Sequence, residues 1–310
     1  MADAFTTTTQ IAYFNDDKLG IGQVSEVLAG APVLAALFAR TIPGYIFKYP
    51  RKTANPSGGF RAENDGRENE APAREQVTVT STIMDASFIM DVATAEASEA
   101  GVEAALGQEA ADHLEGALAN VETQIFYGTG NDSAGFAGIV DNADYDALAD
   151  DMVINANGDT ADTGSSVFAI RSGPKDVNIV WGQNGQIDLG ERTVQRVAGS
   201  VTGTYPAYYV PVTAWCALQI GGKFSVGRLA NCTEDSDDGC TDAKIATLLE
   251  QFPSDKWPTM LAMSRRSLRQ LRASRTATHP TGAPAPFPTE SFGVPIITSN
   301  NVSVTEAIEV

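Results

Sequence analysis

Cysteine, histidine and long apolar runs are all scarce in this sequence, and each shortage excludes a class of protein. Three cysteines, Cys216, Cys232 and Cys240, are spread over 310 residues with no CxxC pair, which is too few for a disulfide scaffold. Two histidines, His113 and His279, lie far apart in the chain, so a Ser/His/Asp site would have to be built on one of them. No GxxxxGK[ST], HExxH or GxSxG occurs, and no GxGxxG follows a strand; the signatures of phosphate, zinc and acyl-transfer sites are missing. No apolar stretch reaches the roughly eighteen residues of a membrane span. The opening MADAFTTTTQ has neither the basic nor the apolar part of a secretory signal, so a cytoplasmic origin with no membrane contact is expected.

Positive charge is also short. Lys and Arg number 21 against 39 Asp and Glu, a formal net charge of −18. Such a chain is soluble and is repelled overall by nucleic-acid phosphates and anionic membranes. With 43% hydrophobic residues it can bury one large core or two smaller ones.

What is present is an uneven mixture of strand and helix patterns. Residues 23 to 40 (QVSEVLAGAPVLAALFAR) place Val24, Val27, Leu28, Leu34, Leu37 and Phe38 at mostly helical steps around Gly30 and Pro32, which predicts a kinked helix or two short ones. Tyr45, Phe47 and Tyr49 then alternate as in a strand that Pro50 should close. From Thr53 to Ala73 the only large apolar residue is Phe60. A polar connection of that length is functional or unstructured. Between Arg51 and Gln76 five cations (Arg51, Lys52, Arg61, Arg67, Arg74) balance five acids (Glu63, Asp65, Glu68, Glu70, Glu75), a mixture suited to contact with another copy of the chain. In the return segment QVTVTSTIMDASFIMDVA, Val77 and Val79 share one parity while Met84, Phe88, Met90 and Val92 share the other. That switch predicts a bulge or a change of partner, and hence a projecting hairpin rooted in a body sheet.

From Thr94 to Tyr127, Leu106, Ala110, Leu114, Ala117, Leu118, Val121 and Ile125 recur at steps of three and four, with acids in the first turns and Gly128 as the stop; this predicts the longest helix. His113 flanks its apolar stripe as a packed imidazole. SVFAI and VNIVW read as strands. Tyr208, Val210, Val212, Ala214, Cys216, Leu218 and Ile220 predict one long strand, turned by Gly221 and Gly222 into KFSVGRL as a hairpin. TDAKIATLLEQF reads as a helix, PTMLAMS as a strand, RRSLRQLRASR as a helix and the final FGVPIITSNNVSVTEAIEV as short strands. The class is mixed α+β without internal repeats.

Two further segments invite chemical readings. TEDSDDG, bracketed by Cys232 and Cys240, has the charge of a calcium loop, but aligning Gly239 with the loop glycine puts Ile245 where a bidentate Glu belongs; a solvated loop is the simpler reading, and whether the two cysteines pair stays open. The basic helix carries Arg265, Arg266, Arg269, Arg272 and Arg275, suited to phosphate or, in so acidic a protein, to the acidic surface of a neighbouring copy.

Three stretches resemble the major capsid proteins of tailed bacteriophages with the Hong Kong 97-like shell fold: ANVETQIFYGTGNDSAGFAGI, the run WPTMLAMSRRSLRQLRAS with the later SFGVPIIT, and SVFAIRSGPKDVNIVWG followed by YPAYYVPVTAWCALQIGGKFSVGRLANC. The resemblance implies an N-terminal arm at 1–43, an extended loop with its base strands at 44–92, a peripheral domain with a spine helix at 93–130, an axial domain interleaved with peripheral strands at 131–300, and a C-terminal strand at 301–310. It also implies hexamers and pentamers of an icosahedral shell around double-stranded DNA, with no enzymatic activity and no cofactor or metal. The expected partners are the chain itself, a separate scaffolding protein, a portal and a cement or decoration protein. Expected contacts between subunits are Arg51, Phe60, Arg61, Glu63, Arg67, Glu68, Glu70 and Arg74 in the loop and Arg265, Arg269 and Arg272 in the basic helix. Some relatives crosslink through a loop lysine; here only Lys48 and Lys52 stand at the loop's base, which argues against such a bond. The competing readings are a cellular nanocompartment shell of related fold, a β-rich hydrolase using His113 or His279, and a nucleic-acid-binding module using the arginine helix.

Overall fold

The computed structural model describes residues 28–309 apart from 67–69, 99–100, 200–202, 236 and 278–283. Most of the expected N-terminal arm, together with Arg67, Glu68 and His279, lies outside the described residues. The described chain enters through a short helix, α1 (Pro32–Ala36), with Pro32 in the first turn, where a missing N–H costs nothing. Leu37 is already extended, and β1 (Phe38–Thr41) pairs in parallel with β8 (Asn178–Trp181). The helical spacing of residues 23 to 40 thus ends at Ala36, because Phe38 to Thr41 are recruited by a sheet whose other strands come from far along the chain.

The polar connection belongs to a projecting arm. Among the described residues its strands β2 (Ile46–Ala54) and β3 (Ala73–Thr80) pair only with each other, antiparallel, with a register shift between Lys52 and Ala54. Pro50 does not close β2 as expected; it lies inside it, opposite Gln76. In a two-stranded ribbon both strands are edges, so a residue without an N–H is tolerated. The parity switch in the return segment marks a change of partner: after buried Ser81, β4 (Thr82–Asp85) pairs with β12 (Val212–Gln219), and β5 (Phe88–Asp91) with β11 (Thr204–Val210).

The expected single helix from Thr94 is two. The side chain of Asp91 accepts the Ala93 N–H at 2.9 Å to cap α2 (Val92–Glu96), and α3 (Val102–Tyr127) starts beyond Gly101, whose φ of 90° breaks the run. Only Glu103 lies in the first turn of α3. Leu106, Ala110, Leu114, Leu118, Val121 and Ile125 form its buried stripe. At its end the chain doubles back so tightly that a Cβ on Gly128 would stand 2.2 Å from the Gly138 nitrogen; Ile139 and Val140 then donate N–H groups to the carbonyls of Ile125 and Phe126.

Three sheets make the body. The first runs β1-β8-β12-β4, with β9 (Ile187–Leu189) also on β12; the second is β10 (Thr193–Ala198)-β11-β5. The third has the order β15 (Glu290–Ser291)-β16 (Val294–Thr298)-β14 (Met260–Met263)-β7 (Val167–Ile170)-β13 (Val226–Ala230)-β6 (Val153–Asn155) and is accompanied by helices α4 (Asp242–Glu250) and α5 (Arg265–Ala277). The Phe126 ring stacks on Phe168 at 4.9 Å, joining α3 to this third sheet.

Two expectations for the later chain are corrected. The single strand over 208–220 is broken at Pro211 into β11 and β12, which belong to different sheets, and no hairpin follows: β13 pairs with β7 and β6, not with β12. Gly221 serves close approach instead, since a Cβ there would lie 1.8 Å from the Lys175 carbonyl oxygen. Among the described residues 301–309 form no strand, only a bridge between Glu306 and Gly164; side chains hold this segment, as described below. Leu114 is fully buried at the centre of the α3 stripe. Leu114→Ala should therefore lower unfolding free energy by about 2–5 kcal/mol, against ~0.5 kcal/mol or less for exposed Asp112→Ala, measured by urea denaturation.

Candidate assembly surfaces

In an antiparallel ribbon, directly opposed residues point to the same side. Phe47, Tyr49 and Arg51 are half-buried against the body, whereas Ile46, Lys48, Pro50 and Lys52 are exposed. The Tyr49 hydroxyl donates to the Ile220 carbonyl at 2.7 Å, the Arg40 guanidinium lies 4.9 Å from the Phe47 ring centroid, and Arg51 pairs with Glu75 at 2.6 Å and Asp144 at 3.4 Å. Burial pushes the Tyr49 hydroxyl above its ordinary pKa. These contacts root the arm. Farther out, Ser57 donates to the Glu70 carboxylate, and the Arg61 guanidinium donates to the Asp65 carbonyl at 2.9 Å. Phe60, at the tip, is completely exposed, with a relative accessibility of 107%. An apolar ring without a single covering neighbour is informative in a way that scattered surface leucines are not.

The basic helix behaves differently from expectation. Arg269 pairs with Glu234 of the acidic loop; Arg272 donates to the Ala285 carbonyl at 2.7 Å and sits over the Phe287 ring. Arg275 forms a two-pronged pair with Asp242 at 2.6 and 2.8 Å. Arg266 donates to the carbonyls of Thr163, Cys232 and Val304. Four of the five arginines therefore fasten α5 to its own chain, and Arg265, exposed at the start of the helix, is the one without a partner among the described residues. The acidic loop carries its own cation: the Lys244 ammonium donates to the carbonyls of Ala156, Asp237 and Gly239 at 2.8, 2.6 and 3.1 Å. Cys216, Cys232 and Cys240 are buried free thiols; burial pushes Cys216 and Cys232 up to about 12, and Cys240 well above its ordinary value. His113 stacks on Phe88 at 5.4 Å and lies 3.4 Å from Glu109, but its ring is exposed rather than packed into the apolar stripe as expected.

Two buried charges escaped the sequence reading. Glu122, fully buried within the α3 stripe, accepts the N–H groups of Val33 and Leu34 at 2.8 Å through one oxygen, and the Ser299 hydroxyl and the Asn301 amide through the other. Arg228, 2% exposed, holds the end of the described chain, reaching Glu309 at 2.9 Å and Glu306 at 3.5 Å, while Glu306 also accepts from Tyr127 and Ser166. A carboxylate beside Val121 in an otherwise apolar helical stripe was the available signal for the first; Arg228, inside a five-residue strand, gave none.

This α+β body, with its mixed sheets and helices, has the Hong Kong 97-like capsid fold. A chain of bacteriophage Epsilon15 superimposes with a TM-score of 0.63 and 15% identity over 88% of this chain and 88% of its own. The bacteriophage JBD30 capsid does so with a TM-score of 0.51 and 12% identity, over 94% of this chain and 98% of that one. No curated protein matches the sequence. Residues 48–254 match the family Major capsid protein GP7, and the chain belongs to that family. Its function is that of a phage major capsid protein, a structural component of the virion shell.

The Arg275 hydrogen bonds to Asp242, assisted by Ser291, hold that carboxyl below the usual aspartate range. A depressed folded pKa contributes stability that is present above the unfolded pKa of about 4 and is lost as pH falls through the folded value. Asp242→Asn should accordingly lower the denaturation midpoint at pH 7, and the gap to wild type should close in steps taken below pH 4.

Proposed function

We propose that the chain tiles a phage head as hexamers and pentamers around double-stranded DNA, with the arm from 44 to 92 laid over a neighbouring copy. The observation that carries this reading is the arm itself: a ribbon that among the described residues pairs with no other strand and presents Phe60 bare to solvent. A two-stranded ribbon alone is marginally stable in water, and overlap with a neighbour supplies contact area without enlarging the core. In this reading α3 is the spine of a peripheral unit starting near residue 93, and the six-stranded sheet with α4 and α5 is the axial unit within 131–300. Phe60, Arg61, Glu63, Arg67, Glu68, Glu70 and Arg74 are the arm's contact residues, and Arg51 acts as its root. Of the basic helix, Arg265 is the contact, whereas Arg269 and Arg272 hold their own subunit together. Assembly takes place in the host cytoplasm with a separate scaffolding protein and a portal; a cement protein, rather than a lysine crosslink, stiffens the shell. The net charge of −18 keeps the wall from gripping the genome.

Negative-stain electron microscopy of the purified chain, alone and with scaffold, should show uniform shells or six- and five-fold rings. Small discrete particles under every condition would refute the reading. Phe60→Asp should leave monomer stability within ~0.5 kcal/mol of wild type and abolish or sharply reduce shell yield.

A further inference from the structure

The basic residues of this acidic chain are gathered unevenly. Six of its 21 Lys and Arg, namely Arg51, Lys52, Arg171, Lys175, Lys223 and Lys256, line one cleft of about 840 Å³ between the root of the arm and the body, against three acids, Asp144, Asp176 and Asp255. A chain with a net charge of −18 thus has a local surplus of three positive charges, in a concave place whose low-dielectric walls concentrate the field. Two of the six are matched inside the subunit: Arg51 by Glu75 and Asp144, and Lys223 by Asp151 at 2.5 Å. Lys52 and Lys175 are exposed and have no ion-pair partner among the described residues, and the Lys256 ammonium has only the Phe224 ring, 5.0 Å away. Arg171 meets Asp176 through Nε, at 3.3 Å, and the two terminal nitrogens of its guanidinium fork are without a partner among the described residues.

These cations stand on a fixed floor. In the turn between β7 and β8, Gly173 donates to the Val177 carbonyl at 3.0 Å and Val177 to that of Arg171 at 3.0 Å, while Gly221 packs directly on the Lys175 carbonyl. The hydroxyl of buried Tyr145 donates to the Gly222 carbonyl at 2.9 Å, beside Lys223. We propose that the cleft binds a small multivalent phosphate anion, a di- or triphosphate, through the fork of Arg171 and the ammonium groups of Lys52, Lys175 and Lys256. A planar fork beside point charges suits phosphate oxygens, and an ion of several negative charges matches a surplus that a monoanion would leave uncovered. A long polyanion fits less well, because one that overran the cleft would meet exposed Asp255 and Asp151. The site lies within one subunit and does not depend on the shell reading. Since Lys52 belongs to the arm and the other three residues to the body, the bound anion ties the two together at the root.

The probe is inorganic tripolyphosphate, titrated into the full chain by calorimetry at constant ionic strength. Wild type should show one saturable site per chain and a raised thermal midpoint, which sodium chloride at the same ionic strength should not reproduce. Lys175→Gln and Lys256→Gln should each weaken binding about tenfold, the loss of one charge-assisted contact. Lys52→Gln should do the same, because an arm residue is part of the site. Arg265→Gln removes an equally unmatched cation far along the chain and should leave binding unchanged. Lys52, Lys175 and Arg265 have no partner among the described residues, so without the anion these three variants should keep the wild-type urea midpoint. Absence of a saturable site would overturn the proposal, as would equal losses from Arg265→Gln or undiminished binding in the chain lacking all three lysines. A short DNA duplex that competes with tripolyphosphate and binds more tightly per phosphate, with the same sensitivity to Lys175→Gln, would overturn it in favour of a polymer site.

Discussion

A single buried carboxylate gathers three distant segments of this chain. Among the described residues Glu122 has no ion-pair partner; its oxygens accept from two backbone N–H groups at the start of α1, a hydroxyl and an amide. Donors at a helix start are suited to this, because unpaired N–H groups and the helix dipole both favour negative charge there. The result is a knot of three segments distant in sequence: α1 just before the arm, the C-terminal part of α3, and the turn after β16. With α1 fixed, β1 is set beside β8, and the arm leaves the body at a defined place and angle. An unsatisfied buried carboxylate would cost several kcal/mol, so the three segments are bound to one another as a set.

A second buried charge closes the other side. Arg228 gathers Glu306 and Glu309 against the six-stranded sheet and, with Tyr127, ties the terminal segment to the end of α3. Burial and the adjacent Glu306 push the Tyr127 hydroxyl far above its ordinary pKa, so it stays a donor at any physiological pH. The body is therefore cross-braced by polar clamps in addition to its apolar core, while the arm is held only at its root. In the shell proposed above, that division keeps the body in shape and leaves the arm free for a neighbour.

Much of this was legible in the sequence, for identifiable reasons. The apolar stripe of α3 and the alternation from Val212 to Cys216 fix which faces are buried, since period and burial are directly coupled; from Cys216 to Gln219 both faces of β12 are covered. The parity switch between Val79 and Met84 marked the point where the arm ends and the body begins. What was not legible depended on partners remote in sequence. Phe38 to Thr41 have a helical pattern yet form a strand because β8 offers an edge; Pro211 divides one alternating run between two sheets without disturbing its alternation; and the arginines of α5 look like an interaction surface until the acidic loop and α4 are brought against them. Residue type announces that a charge exists, but only the folded chain shows whether it is already matched.

The ammonium of Lys244 is seated among three backbone carbonyls, those of Asp237 and Gly239 in the acidic loop and that of Ala156. A tethered cation cannot be diluted away or chelated. The loop is therefore held in the same way whatever the ionic composition of its surroundings.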